Sequence, residues 1–339
     1  MFDVMLFLRI FFSVLAGMAL LLYGVRSMTE VIGQSDNRYL RQCLLHISRF
    51  PAVAYLISLI MTACMQSSSA MSSLLIDLVS TDLLPFSTAI VMMLGANVGL
   101  TLAVQLISFH ITDYALTLVG LFALLALMTA RTRWRRVGQI AFPCGLMLLG
   151  LSTLSQASEL LVSSAWAVAA LQACATTPLL LLLLGVALAM LLNSSTATIG
   201  LVLVLASRHT LPLVPALAAV LGANIGTTLP ALLTASSRNA SIGQRLALVH
   251  TGTKCLGACL LFLLLQPFAA LLAVCWPNPP MQVGMAHLGF NVLLTCFCVP
   301  LASPLTWLLT SLMPSGEKVS VRQISESTSY PRPSPVADG

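Results

Sequence analysis

Two long stretches without any charged residue constrain this chain more than any other feature. Leu160–Ser207 holds 48 residues and Cys255–Gly316 holds 62 residues, and neither contains Asp, Glu, Lys or Arg. A helix needs only about 20 apolar residues to cross a bilayer. Charged residues make up 8% of the whole chain, against roughly a quarter in soluble domains. The sequence therefore predicts an all-α polytopic membrane protein of the cell (inner) membrane.

The basic residues predict how the chain is threaded, because short cytoplasmic loops of membrane proteins are enriched in Lys and Arg. The basic clusters at 38–49 and 131–136 fall on one side only if the apolar segment 51–80 enters and leaves the membrane on that side. The same reasoning makes 178–207 a second re-entrant hairpin. We then expect 12 of the 16 Lys and Arg residues inside, the N-terminus outside and the C-terminus in the cytoplasm.

Charge, Pro and Gly punctuation predict the remaining segments and the division of the chain. We expect a first transmembrane repeat over 1–130, a second repeat with a final helix over 131–313, and a disordered cytoplasmic tail over 314–339. Long helices are predicted at about 4–33, 84–108, 113–130, 137–158, 211–234, 244–265 and 281–311.

An internal duplication relates the two halves. Shifting the sequence by 127 residues aligns Gln66–Thr101 with Asn193–Thr228 without a gap, and 15 of the 36 positions are identical. Pro51 and Pro178, which open the two hairpins, obey the same offset. Because one hairpin opens inward and the other outward, the halves are predicted to be inverted-topology repeats, an architecture of secondary transporters.

Each half supplies a polar hairpin tip and a glycine-containing segment in the next helix. We expect both of these following helices to be interrupted, at Gly95–Thr101 and at Gly222–Thr228, because paired glycines permit non-helical backbone. Freed carbonyl oxygens with Asn and Thr side chains suit sodium, and helix N-termini with hydroxyl groups suit an oxyanion such as phosphate or carboxylate. The candidate ligands for substrate and ion are Gln66, Ser67, Ser68, Ser69, Asn97, Thr101, Asn193, Ser194, Ser195, Thr196, Asn224, Thr227 and Thr228.

These motifs resemble those of the sodium/phosphate cotransporters, a family with bacterial members and animal type II carriers. Gln66–Ala70 matches the family's Gln-Ser-Ser-Ser-Ala hairpin motif, and Gly222–Thr228 matches its Gly-Ala-Asn-Ile-Gly-Thr-Thr segment. Asn193–Ala197 departs from the motif at Asn193 and Thr196, and Gly95–Thr101 departs at Val98 and Leu100. The resemblance covers about residues 15–311 and implies sodium-coupled phosphate transport by alternating access, with import and export both open.

The resemblance also implies accessory residues and partners. Ala286–Asn291 matches a His-x-x-Phe-Asn pattern, which makes His287 and Asn291 accessory candidates. The weaker match at His250, with Lys254 where Asn is usual, adds these two residues as accessory candidates. An intramembrane Lys is costly and indicates function. A PhoU-like domain, which many bacterial members carry, is expected to be absent here, which leaves open a separate PhoU-like regulator and a homodimer. No cofactor is expected. Sodium, as the coupling ion, is assigned to Gln66, Ser68, Asn97, Ser195, Asn224 and Thr228.

Three other readings stay open on sequence alone. Hairpin tips of Ser, Asn and Thr suit a dicarboxylate or another oxyanion as well as phosphate. An intramembrane hydrolase would need a serine paired with His250 or His287, but the sequence offers no defined spacing between nucleophile and base. A structural or regulatory membrane subunit with a decayed site would explain the departures at Asn193, Leu100 and Lys254.

Overall fold

The structure, a computed structural model, describes residues 2–33, 50–81, 83–108, 114–127, 133–236 and 242–312. Every regular element in these ranges is helical. The first six helices are α1 (Phe2–Gly33), α2 (Pro51–Met65), α3 (Ser68–Ser80), α4 (Phe86–Ser108), α5 (Ala115–Leu127) and α6 (Arg133–Val162). They are followed by α7 (Ala165–Ala175), α8 (Pro178–Leu192), α9 (Ser195–Ser207), α10 (Leu213–Gly226) and α11 (Leu229–Ser236). The last four are α12 (Ile242–Leu263), α13 (Leu265–Cys275), α14 (Pro279–Cys298) and α15 (Ala302–Leu312).

Helix length and apolar composition confirm the all-α polytopic membrane protein. Five stretches are long and apolar enough to cross a bilayer: Val4–Met28, Arg133–Leu160, Leu213–Leu233, Ile242–Leu263 and Pro279–Cys298. Helix α4, with 23 residues, reaches roughly 35 Å at 1.5 Å per residue. Outward-facing side chains are large and apolar, for example Leu191 at 82% exposed and Val274 at 87% exposed, as expected where a helix faces lipid. The tail over 314–339 lies outside the described residues.

Helices α2 and α3 form a hairpin that packs against α4. A methyl group added to Gly95 of α4 would fall 2.5 Å from the Tyr55 carbonyl oxygen, and one added to Gly99 would overlap the Leu59 carbonyl. Four residues forward along α4 thus correspond to four residues forward along α2, so these helices run in the same direction. Helix α3 returns the chain between them. With 15 and 13 residues, the arms reach roughly 22 and 20 Å, shorter than the ~30 Å hydrocarbon core.

Helices α8 and α9 form a second hairpin with the same construction. Gly222 of α10 packs on the Leu182 carbonyl, and Gly226 packs on the Val186 carbonyl, so α8 and α10 are also parallel and α9 returns the chain. Pro178 stands at the first turn of α8, where its missing N–H costs nothing. Helix α7 meets α8 at an angle of 109°.

Helices α1 and α6 pack in opposite directions. Added methyl groups at Gly17 and Gly24 of α1 would meet Leu154 and Met147 of α6, respectively. The residue number rises along one helix as it falls along the other. The C-terminal end of α1 and the N-terminal end of α6 therefore lie at the same end of the pair.

We expected an interruption in each helix that follows a hairpin, and this prediction is wrong for α4. Helix α4 continues without a break through Gly95–Thr101, whereas α10 ends at Gly226 and α11 begins at Leu229 after a turn. The physical reason is that Gly95 and Gly99 form a small-xxx-small face, which lets two helix backbones approach closely. In α4 the glycines serve packing and do not unwind the helix.

Candidate functional site

The two hairpin tips have the same backbone geometry, 127 residues apart. Gln66 and Asn193 end α2 and α8 in the left-handed conformation, with φ of 53° and 49°. Asn enters this region more readily than most residues. The Gln66 side chain stabilises its tip by donating a hydrogen bond from Nε2 to the Ala63 carbonyl. The left-handed residue turns the chain sharply and allows the second arm to start at once.

The second arm of each hairpin begins with a capped helix N-terminus. Ser67 Oγ accepts from the Ala70 N–H across 3.2 Å, and Ser194 Oγ accepts from the Ala197 N–H across 3.1 Å. A serine in the N-cap position satisfies one of the four N–H groups that a helix start leaves without an intrahelical partner. The other N–H groups of the first turn, with the helix dipole, favour an anion at this place.

Both tips line one cavity. Its volume is about 30 Å³, more than the ~10–15 Å³ that one water molecule requires. Apart from Val25 of α1, every lining residue belongs to the duplicated segments. The lining residues are Val25, Gln66, Ser67, Ser68, Leu100, Asn193, Ser194, Ser195, Thr196 and Thr227.

Several polar atoms at the tips are buried without a partner among the described residues. They are Gln66 Oε1, Ser195 Oγ and Thr196 Oγ1, on side chains that are 7%, 2% and 1% exposed, respectively. A buried polar atom without a hydrogen bond costs roughly 1–3 kcal/mol. These three oxygens are therefore available to a ligand or to water in the cavity.

A second group of predicted residues forms a buried polar cluster on α4, α10, α12 and α14. Asn224 Oδ1 accepts hydrogen bonds from Lys254 Nζ across 3.1 Å and from Asn291 Nδ2 across 3.3 Å. On the other repeat, Asn97 Oδ1 lies 3.1 Å from His250 Nε2. Neither ring nitrogen of His287 has a partner within the described part of the chain. We call these six residues, Asn97, Asn224, His250, Lys254, His287 and Asn291, the asparagine cluster.

The remaining predicted residues lie elsewhere or are only partly described. Thr101 Oγ1 and Thr228 Oγ1 donate to carbonyl oxygens of their own helix segments, those of Val98 and Ile225, both across 2.7 Å. Ser69 lies in the first turn of α3. The structure thus divides most of the other candidates between the cavity and the asparagine cluster, a division that the sequence did not predict.

Sequence reasoning missed two residues that line the cavity, Val25 and Leu100. The repeat offset contains a signal for the second, because Leu100 stands 127 positions before Thr227, which also lines the cavity. One wall is therefore apolar where its repeat mate presents a hydroxyl. Nothing in the apolar sequence of α1 distinguishes Val25 from its neighbours.

Apolar helices of bilayer length around a polar cavity, which is lined by two hairpin tips, define a multi-pass membrane transporter. The chain belongs to the Na+/Pi-cotransporter family, which matches residues 20–156 and 161–297. The members of this family are transporters, so the chain is a transporter and not an enzyme, and the hydrolase reading is set aside.

Curated relatives support the family assignment at moderate identity. YqeW of Bacillus subtilis (strain 168), named as uncharacterized, is 28% identical over 301 residues, which cover 89% of this chain and 95% of YqeW. The "Putative inorganic phosphate export protein YjbB" of Escherichia coli (strain K12) is 28% identical over 297 residues, which cover 86% of this chain and 53% of YjbB. YjbB of Salmonella typhimurium is 27% identical over 290 residues, 85% of this chain and 53% of that protein. The chain thus spans about half the length of the YjbB relatives. No solved structure matches it significantly.

Proposed function

We propose that this protein is a secondary transporter that moves inorganic phosphate together with sodium by alternating access. The observation that most strongly supports this proposal is that both duplicated hairpin tips line one cavity, in a chain of the Na+/Pi-cotransporter family. A coupled transporter must bind both solutes in one occluded state. A cavity formed by both repeats can open to either side when one repeat moves relative to the other.

Phosphate in this proposal binds at the starts of α3 and α9. The N–H groups of the first turns around Ser68 and Ser195, together with the Thr196 hydroxyl, supply neutral donors for the phosphate oxygens. Among the described residues, no Arg or Lys lines the cavity. A site without a fixed cation at the ligand can release an anion as well as bind it, and sodium supplies the missing positive charge.

Sodium in this proposal binds oxygen atoms of the tips. Gln66 Oε1 and Ser195 Oγ are buried and unpartnered in the described structure, and Ser68 lines the same cavity. Hard oxygen ligands suit a small cation. Asn97 and Asn224, also assigned to sodium, lie on the adjoining helices, where their oxygens already meet His250 and Lys254. Thr228 lies in the turn after α10, where its hydroxyl donates to the backbone.

Helix directions support re-entrant hairpins in inverted repeats. The antiparallel packing of α1 and α6 requires an even number of crossings from the end of α1 to the start of α6. If α4 and α5 cross once each, the α2–α3 hairpin contributes an even number of crossings. Its arms of roughly 22 and 20 Å are too short for two full spans, so we infer that the hairpin is re-entrant. Placing the basic flanks of α1 and α6 in the cytoplasm puts the N-terminus outside. Extending this arrangement to α8 and α9 through the 127-residue offset gives a second repeat of opposite orientation over 131–313 and a cytoplasmic C-terminus.

Uptake of labelled phosphate into proteoliposomes tests this function. An inward sodium gradient should stimulate uptake over a choline gradient, and a double variant of Ser195→Ala with Thr196→Val should remove most of the stimulation. Ser163→Ala, at the exposed end of α6, is the matched control. Identical uptake in sodium and choline would contradict coupling.

Two extensions of the assay test the cargo and the direction. Competition by arsenate, with little effect of sulfate or succinate, would support phosphate, whereas strong inhibition by succinate would support a dicarboxylate carrier. The relatives named as putative phosphate exporters make efflux from preloaded vesicles the second arm. The ratio of efflux to uptake under one sodium gradient measures the direction that coupling favours.

A further inference from the structure

Lys254 is a buried basic residue at the centre of the asparagine cluster. Its side chain is 2% exposed and is among the largest fully buried side chains of the described residues. Its ammonium donates to Asn224 Oδ1 across 3.1 Å, and the Asn291 amide donates to the same oxygen across 3.3 Å. His250 and His287 lie within its electrostatic reach.

No carboxylate neutralises this charge in the part of the chain that the structure describes. The ion pair of Arg208 with Glu159 is partly exposed and lies away from α12. A buried, unpaired ammonium in a membrane protein is expensive. Its bonding to an amide oxygen, and not to an acid, leaves its positive charge available to a mobile anion.

Through Asn224, the ammonium of Lys254 is connected to the wall of the cavity. Asn224 lies in the last turn of α10, and the cavity residue Thr227 directly follows that helix in a helical conformation. Side chains three residues apart in a helix are neighbours. Lys254 therefore contacts an asparagine that lies about one helical turn from a cavity-lining residue. The equivalent Asn97 in the other repeat meets the ring of His250 and carries no such cation.

We propose that Lys254 is a tethered cation that takes the place of one coupling sodium ion. Its ammonium holds the Asn224 oxygen, which in its absence is free to coordinate sodium, and it offsets part of the charge of the bound anion. The identity of that anion as phosphate rests on the proposed function. The protein then carries one sodium ion fewer per phosphate than a variant without this charge.

The sodium-to-phosphate ratio, measured with both solutes labelled, tests the proposal in proteoliposomes. Lys254→Gln should carry one additional sodium ion per phosphate, with a steeper sodium dependence of uptake, and it should need several-fold more sodium for half-maximal rate. Lys254→Arg keeps the charge and should retain the native ratio. An unchanged ratio and unchanged sodium dependence in Lys254→Gln would overturn the proposal.

A binding measurement keeps the outcome decisive if a variant does not transport. Removal of a buried charge relieves its desolvation penalty, so Lys254→Gln is expected to fold. In detergent, sodium chloride in place of choline chloride should raise the melting temperature of Lys254→Gln more than that of the native protein or Lys254→Arg. Equal rises in all three would overturn the tethered-cation role. Absence of phosphate transport by the native protein would instead count against the proposed function, and the melting temperatures would still decide the role of Lys254.

Discussion

Gln66 and Asn193 stand 127 positions apart in the sequence, yet both adopt the left-handed conformation and both line the same cavity. Each ends the first arm of a hairpin, and each is followed by a serine that caps the second arm. The duplication is thus visible as two copies of one turn that face a shared space. Substitutions at these two positions can therefore test whether the left-handed turn is required.

The left-handed turn at Asn193 should tolerate glycine but not a β-branched residue. Glycine adopts φ near 49° without strain, whereas a residue such as valine pays at least the ~1–2 kcal/mol of the left-handed region. We expect Asn193→Val to lower the melting temperature and phosphate uptake, and Asn193→Gly to keep most of both. Equal losses in the two variants would assign the effect to the Asn side chain and not to the backbone.

The unpartnered hydroxyls of Ser195 and Thr196 should matter for binding but not for stability. Neither oxygen is satisfied by the described residues, so Ser195→Ala and Thr196→Val remove no internal hydrogen bond. A lost hydrogen bond to a charged ligand costs roughly 1.5–3 kcal/mol, which corresponds to a rise of at least ~10-fold in the half-saturating concentration of phosphate or sodium. A melting temperature within a degree or two of the native value should accompany this rise. A large fall in stability would indicate a structural role.

The capping serines should behave in the opposite way. Ser67 and Ser194 accept backbone hydrogen bonds at the starts of α3 and α9, and replacing such a cap by Ala costs about 0.5–2 kcal/mol. Thermal unfolding of Ser194→Ala should show this loss, while Ser207→Ala, at the last residue of the same helix, should show little. Comparable unfolding of the two variants would argue against the cap.

The glycines of α10 should be essential for packing. A methyl group at Gly222 would overlap the Leu182 carbonyl of α8, whereas one at Gly120 of α5 would meet nothing within 4 Å. We expect Gly222→Ala to destabilise by at least the ~1–3 kcal/mol typical of overpacking. Gly120→Ala, in a helix interior, should be neutral or stabilising by up to ~1 kcal/mol. Melting temperatures of the two variants in detergent measure these changes. A fall only in Gly222→Ala would show that steric fit, and not helix propensity, decides the effect.

The helix directions give a topology that labelling can check. In a background without accessible cysteines, single cysteines within 38–49 and within 131–136 should react with a membrane-impermeant reagent from the same face. Reaction from opposite faces would contradict a re-entrant α2–α3 hairpin and the inverted repeats with it.

The sequence predicted most of the helical segments because charge and proline mark their ends. The hairpins expected at 51–80 and 178–207 coincide with α2–α3 and α8–α9. Pro51 begins the first hairpin and Pro178 the second, and a polar tip divides each hairpin into two arms. Helices α7 and α13 were not predicted as separate elements. Both lie in stretches that are apolar on every side, where neither periodicity nor charge marks a boundary.

The site was predictable as a set of residues but not as an arrangement. The repeat identified the tips and both asparagines, because duplication preserves motifs at a fixed offset. The contact between Asn97 and His250 joins residues 153 positions apart, and no spacing rule connects them. The motif also could not predict that α4 is continuous, because a Gly-x-x-x-Gly sequence can either unwind a helix or let it pack closely against another. Only the Tyr55 and Leu59 carbonyls, which lie against these glycines, decide between the two.

The contact of α8 with α10 limits which motions are available to the protein. Gly222 and Gly226 lie directly on carbonyl groups of α8, so no layer of flexible side chains separates the two backbones. Sliding one helix along the other by less than a full turn would drive carbonyl groups into the neighbouring backbone. We therefore expect a hairpin and the helix after it to move together as one rigid unit. Movements that open the space between the tips to solutes must then occur at the contacts between such units.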